Sequence, residues 1–145
     1  MSLRILVVED FQPFRRLICK ALQRAEFQTT EAADGLEAVQ KAEALQPDLI
    51  LLDINLPKLH GFEVAKQIRS LVPHARLLFV SQEFSSDIVR KAFSLGADGY
   101  VQKLSAGTDL LPAIDAVLGG QRFVSSSLAF TERESSQLPT APPAQ

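Results

Sequence analysis

The sequence predicts an α/β protein with a doubly wound parallel sheet. Apolar runs typical of buried strands alternate along the 145 residues with segments whose apolar residues recur at helical spacing. The connections between them are short, as expected when each helix crosses from one parallel strand to the next. Five strands and five helices in strict alternation are predicted, which places helices on both faces of the sheet.

The strands are predicted from runs of β-branched and leucine residues without a polar break. Residues 48–52 form the clearest run, which is followed at once by Asp53, and residues 3–8 lead into Glu9 and Asp10. Such runs are typical of strands covered on both faces. Residues 27–32 are more polar and are predicted to form an edge strand. The other two strands are predicted over residues 76–80 and 98–102.

The helices are predicted from apolar residues spaced along one face. They cover residues 13–25, 36–45, 61–71, 87–95 and a final segment that ends near residue 118. Pro112 lies in this last segment and is poorly tolerated in a helix interior. The final helix is therefore expected to begin at Thr108 or Asp109, which would put Pro112 in or near its first turn.

Composition excludes several classes of function. With 15 basic and 17 acidic residues the net charge is −2, which argues against a nucleic-acid surface built by charge alone. The single cysteine, Cys19, cannot form an internal disulfide or hold zinc alone, so we expect a reduced, cytoplasmic protein. Cys19 is predicted to lie off the inward face of its helix and to be inert. No apolar run approaches the roughly 20 residues that span a bilayer, so no membrane partner is expected.

Polar residues follow four of the predicted strands where each strand ends. They are two acids after the first strand, one acid after the third, and a hydroxyl and an amine after the fourth and fifth: Glu9, Asp10, Asp53, Ser81 and Lys103. The carboxyl ends of parallel strands meet at one edge of a sheet, where ligands bind. Three neighbouring carboxylates repel one another, and a hard divalent cation such as Mg²⁺ relieves the repulsion. A nucleophilic carboxylate, a metal ion, an amine and a hydroxyl together suit phosphoryl transfer.

Several segments resemble the receiver domains of response regulators in two-component signalling. The matching segments are residues 7–10 (Val-Val-Glu-Asp), 52–57 (Leu-Asp-Ile-Asn-Leu-Pro), 61 (Gly), 81 (Ser), 96–97 (Gly-Ala) and 99–103 (Gly-Tyr-Val-Gln-Lys). The resemblance covers roughly residues 3–120. It implies a flavodoxin-like three-layer sandwich with the strand order 2-1-3-4-5.

The resemblance also implies a role for each site residue. Asp53 would accept a phosphoryl group from a histidine of a sensor kinase or a phosphotransfer protein. Lys103 and Ser81 would bind that group, and Ser81 and Tyr100 would form a switch pair that reports it. Mg²⁺ would be held by three side chains and one backbone carbonyl: Glu9, Asp10, Asp53 and the carbonyl of Asn55. Such a protein would not be an enzyme, since it would catalyse only its own phosphorylation and dephosphorylation.

Three positions depart from the receiver pattern. Glu9 replaces the commoner aspartate but keeps the charge, so metal binding is expected to survive. Leu104 follows Lys103 where many receivers have a proline with a cis bond, and a cis bond before leucine costs about 2.5–4 kcal/mol. We therefore predict a trans Lys103–Leu104 bond. Gln82 stands where the family usually has alanine or glycine, and we expect it to narrow the entry to Asp53. The candidates for tuning hydrolysis of an acyl phosphate are the polar residues around the site: Asn55, Gln82 and Glu83.

The predicted domain organisation is a receiver domain over residues 1–120 and a linker or tail, largely disordered, over residues 121–145. Residues 117–125 resemble the receiver-to-linker region of NarL/FixJ-type transcription factors, and residues 131–134 resemble the start of their helix-turn-helix domain. The helices that would bind DNA are absent, so DNA is expected as a partner only through an output domain outside these residues. The last helices also offer a surface for a homodimer.

Two other functions stay open at this point. The first is a pseudo-receiver, an interaction module that never takes a phosphoryl group. The second is a Mg²⁺-dependent phosphatase of the haloacid-dehalogenase type, which also uses an aspartate after a buried strand. That class has a second acid two residues after the nucleophile, where this chain has Asn55.

Overall fold

The computed structural model describes residues 2–126, which form one parallel sheet with helices on both faces. In chain order the elements are β1 (Arg4–Val8), α1 (Gln12–Arg24), β2 (Gln28–Ala32), α2 (Gly35–Leu45), β3 (Leu49–Leu52), α3 (Gly61–Leu71), β4 (Arg76–Ser81), α4 (Ser86–Ser94), β5 (Gly99–Gln102), α5 (Ala106–Leu118) and β6 (Phe123–Val124). A short 3₁₀ turn, Lys103–Ser105, joins β5 to α5.

The sheet order is β2-β1-β3-β4-β5-β6, and every neighbouring pair is parallel. The predicted order 2-1-3-4-5 is confirmed, and β2 lies at one edge as expected. The two faces carry separate apolar cores. α2, α3 and α4 cover one core, and α1 and α5 cover the other.

A sixth strand extends the sheet beyond the predicted five. β6 pairs with β5 and lies past residue 120, within the region that sequence assigned to a linker. Its two residues alternate between the cores, with Val124 packed against the α2–α4 side and Phe123 against the α1–α5 side. A two-residue strand is too short to show a period in the sequence, which is why it was missed. The predicted disordered tail over residues 127–145 lies outside the described residues.

The start of α5 differs from the prediction. The helix begins at Ala106 and contains Pro112 in its interior, although a later start had been expected to avoid this. A proline there removes the backbone hydrogen bond to Thr108 four residues earlier. Pro112 and Thr108 are both exposed, so water can reach the carbonyl that is left without its partner.

The position of Cys19 also differs from the prediction. Its side chain is buried in the core between α1 and the sheet instead of lying off the inward face. Burial raises the pKa of the Cys19 thiol to about 11, so the reactive thiolate is scarce near neutral pH.

Candidate functional site

The carboxyl ends of β1, β3, β4 and β5 bring the predicted polar residues to one edge of the sheet. These strands are paired in register, with Val8 beside Leu52 and Ser81 beside Gln102. The ladder continues one step past β3, because the Asp53 amide donates to the Val8 carbonyl at 3.2 Å. Asp53 is therefore fixed at the point where the buried strand ends.

Three carboxylates meet at this edge, as predicted. Glu9, Asp10 and Asp53 each offer an oxygen atom within 4.8 Å of the others. Glu9 and Asp53 are buried, at 2% and 5% exposed, whereas Asp10 is exposed. An all-oxygen set of three acids that is open to solvent on one side fits a hard divalent cation.

Lys103 reaches into this acidic cluster. Its Nζ lies 2.5 Å from Glu9 Oε1 and 3.0 Å from Asp53 Oδ2, and 5.1 Å from the centre of the Phe14 ring. Burial alone would lower the pKa of Lys103, but its bonds to Glu9 and Asp53 outweigh this effect and raise the pKa. The ammonium form is therefore held between two carboxylates.

Glu9 depends on two contacts besides the lysine. Its Oε2 accepts from the Phe11 amide at 2.9 Å, and its carbonyl accepts from Arg15 Nη1 at 2.7 Å. Arg15 also donates through Nε to Glu31 on β2 at 2.8 Å. Burial raises the pKa of Glu9, although its bonds to Lys103 and to the Phe11 amide act in the opposite direction. The sequence analysis missed Arg15, because nothing in the spacing of helix α1 separates it from other surface arginines.

Asp53 is oriented by its own loop. The Ile54 amide donates to Asp53 Oδ1 at 2.7 Å, and Lys103 binds Oδ2. The first residue of α3, Gly61, donates to the Ile54 carbonyl at 2.7 Å. A Cβ atom at Gly61 would lie 2.2 Å from the Asp53 carbonyl oxygen and 2.6 Å from the Ile54 Cα atom. Glycine is therefore required for α3 to approach the aspartate this closely.

The proposed switch residues meet through the loop after β4. The buried Ser81 hydroxyl accepts from the Glu83 amide at 3.2 Å. The Tyr100 ring is also fully buried, and its hydroxyl donates to the Glu83 carbonyl. Its ring centre lies 5.8 Å from that of Phe84, and burial raises the pKa of the phenol. The main chain of Glu83 thus contacts both side chains.

A cavity of about 460 Å³ opens over the acidic cluster. Its lining combines acids, polar residues and apolar side chains: Glu9, Asp10, Phe11, Phe14, Asp53, Asn55, Gln82, Lys103 and Leu104. Among the predicted tuning residues, Gln82 and Asn55 line this cavity, and Asn55 Nδ2 lies 3.4 Å from Glu83 Oε1. Phe11 and Leu104 are 62% and 91% exposed, so the rim includes two apolar side chains, a feature that the sequence analysis did not anticipate.

All peptide bonds in the turn that carries Lys103 are trans. None of the peptide bonds described for residues 2–126 is cis, so the trans Lys103–Leu104 bond is confirmed.

Comparison with known proteins identifies the family. The model of the response regulator receiver domain matches residues 5–115. The chain belongs to the response regulator receiver family. The receiver domain resembles the alkaline phosphatase synthesis transcriptional regulatory protein PhoP of Bacillus subtilis, with 37% identity over 81% of this chain and 49% of that protein. It also resembles the nitrate/nitrite response regulator NarL of Escherichia coli, with 32% identity over 92% of this chain and 68% of that protein.

Solved structures agree with this assignment. A LuxR-family two-component response regulator from Aurantimonas has a TM-score of 0.86 and 33% identity, covering 94% of this chain and 99% of that chain. A CheY-like receiver from Methanospirillum hungatei has a TM-score of 0.78 and 28% identity, covering 83% and 97%. The receiver domain spans about half the length of the first curated relatives it matches. Within residues 2–126, no helix has the length and apolar character needed to cross a membrane.

The close approach of α3 to Asp53 predicts a cost for any side chain at position 61. Gly61→Ala should lower the free energy of unfolding by about 1–3 kcal/mol, because the new methyl group overlaps the backbone of Asp53 and Ile54. Urea denaturation measures the change. Gly107→Ala is the matched control, since Gly107 lies in α5 with open space around it and should be neutral or stabilising. Equal stability of the two variants would contradict the assigned role of Gly61.

Proposed function

We propose that Asp53 is a phosphoacceptor, which takes a phosphoryl group from a phosphohistidine of a sensor kinase or phosphotransfer protein in a Mg²⁺-dependent reaction. The observation that carries the proposal is the Lys103 amine, which lies 3.0 Å from Asp53 in a cluster of three carboxylates. Membership of the receiver family supports it. In this account the domain transfers a phosphoryl group only onto and off itself and is not an enzyme acting on other substrates.

The chemistry assigns Asp53 as the nucleophile. A carboxylate oxygen of Asp53 would form a bond to phosphorus while the phosphorus–nitrogen bond of the donor histidine breaks, which yields an acyl phosphate. Bound Mg²⁺ would supply positive charge beside the phosphoryl oxygens. Glu9, Asp10 and Asp53, whose carboxylate oxygens lie within 4.8 Å of one another, would provide three oxygen ligands for it, and the Asn55 carbonyl would be a fourth.

Lys103 would contribute an ammonium group that is already in place. In the structure it bonds both Glu9 and Asp53, so little movement is needed for it to reach an oxygen of a group attached to Asp53. Positive charge that is preorganised where negative charge develops is an effective form of catalysis.

The switch would pass through the Glu83 main chain. A phosphoryl group adds about −1.5 to −2 charges and three acceptor oxygens, which attract the Ser81 hydroxyl. Ser81 and Tyr100 both bond to Glu83, so a shift of Ser81 would alter the loop that holds the tyrosine. Driving a mostly inactive population to a mostly active one takes about 5 kcal/mol, which a few charge-assisted hydrogen bonds of about 1.5–3 kcal/mol each can provide.

The rim of the cavity fits a protein donor. Phe11 and Leu104 expose apolar side chains in the lining of the cavity over the acidic cluster, a combination that suits docking of the protein that carries the phosphohistidine. Several relatives are named as transcriptional regulators or activators. We propose that this receiver also controls transcription in the cytoplasm, through a DNA-binding domain outside these residues. Homodimerisation through the last helices stays part of the proposal.

Intact-mass analysis tests the phosphoacceptor role. Incubation with acetyl phosphate and Mg²⁺ should add about 80 Da, the mass of one HPO₃ group on a carboxylate. Asp53→Asn should abolish the adduct, whereas Asp87→Asn, a change at a highly exposed acid on α4, should leave it intact. Absence of any adduct would support a pseudo-receiver, and continuous release of free phosphate would support a phosphatase. Either outcome would contradict the proposal.

Gln82 provides a second test at the same site. Its exposed side chain lines the cavity that leads to Asp53, so Gln82→Ala should widen the entry and raise the labelling rate with acetyl phosphate severalfold. Gln40→Ala on α2 is the control, because Gln40 is exposed and outside the cavity lining. A labelling rate for Gln82→Ala that equals that of the unmodified chain would show that Gln82 does not limit access.

A further inference from the structure

A serine beyond the matched family region is joined to the loop that carries Lys103. Ser125 is 1% exposed and follows β6 directly. Its hydroxyl accepts from the Gln102 amide at 3.0 Å and donates to Asp109 Oδ2 at 2.7 Å. Its own amide donates to the Tyr100 carbonyl at 3.0 Å. The family match ends at residue 115, so the family pattern does not include this serine.

These contacts continue the sheet where its main-chain ladder stops. β6 pairs only Phe123 with Gly99 and Val124 with Tyr100. The Gln102 amide would have needed a carbonyl from the next residues of β6, and the Ser125 hydroxyl takes that place. A buried amide without an acceptor costs about 1–3 kcal/mol, so the Ser125 hydroxyl stabilises the partly buried Gln102 amide.

The same hydroxyl joins the two ends of the turn that carries Lys103. Gln102 is the residue before Lys103. Asp109 lies in the first helical turn of α5, which directly follows the 3₁₀ turn Lys103–Ser105. Within the turn itself Leu104 is 91% exposed and adds little packing. Besides the ion pairs of Lys103 and its contact with the Phe14 ring, the turn is held by a hydrogen bond from the Thr108 hydroxyl to the Ser105 carbonyl at 3.1 Å.

We propose that Ser125 is a positioning residue for Lys103. By bonding Gln102 and Asp109 together, it fixes the turn Lys103–Ser105 so that the ammonium group stays directed at Asp53. This inference rests on the proposed phosphoacceptor function and extends the functional unit past residue 120. In this proposal Ser125 acts on the lysine and not directly on the metal ligands. Glu9, Asp10 and Asp53 follow β1 and β3 and do not touch Ser125 in the described contacts.

The test measures two properties of full-chain variants. Ser125→Ala should lower the rate of Asp53 labelling at saturating acetyl phosphate and Mg²⁺ by about tenfold, since a displaced catalytic group loses rate steeply with distance. The affinity for Mg²⁺, measured by calorimetry, should not fall, because the metal ligands lie on other strands and release of Lys103 from Glu9 and Asp53 removes a competing cation. Circular dichroism confirms that each variant is folded at the assay temperature.

Two variants at the partner residue and one control complete the design. Asp109→Ala removes the acceptor of the Ser125 hydroxyl and should slow labelling, whereas Asp109→Asn keeps an acceptor oxygen and should restore most of the rate. Ser94→Ala is the control, because it removes a serine hydroxyl on α4 whose described hydrogen bond within residues 2–126 is to the Lys91 carbonyl, and it should not change the rate.

Three outcomes would overturn the inference. These are labelling of Ser125→Ala at the original rate, equal rates for Asp109→Ala and Asp109→Asn, or a parallel fall in Mg²⁺ affinity and labelling rate. The failure of the proposed function has a different signature, because then the unmodified chain itself would acquire no adduct.

Discussion

The ion pairs of Lys103 with Glu9 and Asp53 are the interaction on which the rest of this structure depends. Two buried carboxylates and an exposed third at one sheet edge would repel one another strongly without a cation. The lysine amine, at 2.5 Å and 3.0 Å from two of them, compensates part of that charge. The acids follow β1 and β3 and the lysine follows β5, so this compensation requires the strand order that the fold adopts.

Burying charged groups costs free energy, and a buried ion pair is weak evidence for stability by itself. The arrangement is better explained by the chemistry it prepares. Three further features then hold the charged groups in place: Gly61 lets α3 approach the aspartate, the Arg15 side chain binds the carbonyl of Glu9, and the Ser125 hydroxyl braces the turn before α5. Residues from five segments distant in sequence therefore define a single site.

Most of the fold and the identity of the charged residues could be predicted from the sequence. Unbroken apolar runs that end in Asp53, or in Glu9 and Asp10, mark both a buried strand and the place where it leaves the core. Parallel strands then bring these ends together. The structure confirms the strand order and shows Lys103 beside the acids.

The features that could not be predicted depend on contacts that leave no pattern in the sequence. β6 is two residues long, and the hydroxyl of Ser125 completes a ladder that periodicity cannot show. The predicted start of α5 was wrong because a proline was expected only in the first turn of a helix. Pro112 is exposed, which allows it in the helix interior. The partner of the Tyr100 hydroxyl is a backbone carbonyl, which any residue could have provided.

A double-mutant cycle on the free energy of unfolding tests the central ion pair most directly. It compares the original chain with Asp53→Asn, Lys103→Met and the double variant by urea denaturation in the absence of Mg²⁺. The structure predicts a favourable coupling of about 0.5–3 kcal/mol between the two side chains. Additive effects of the two substitutions, with no coupling between them, would contradict the charge compensation from which the site is built.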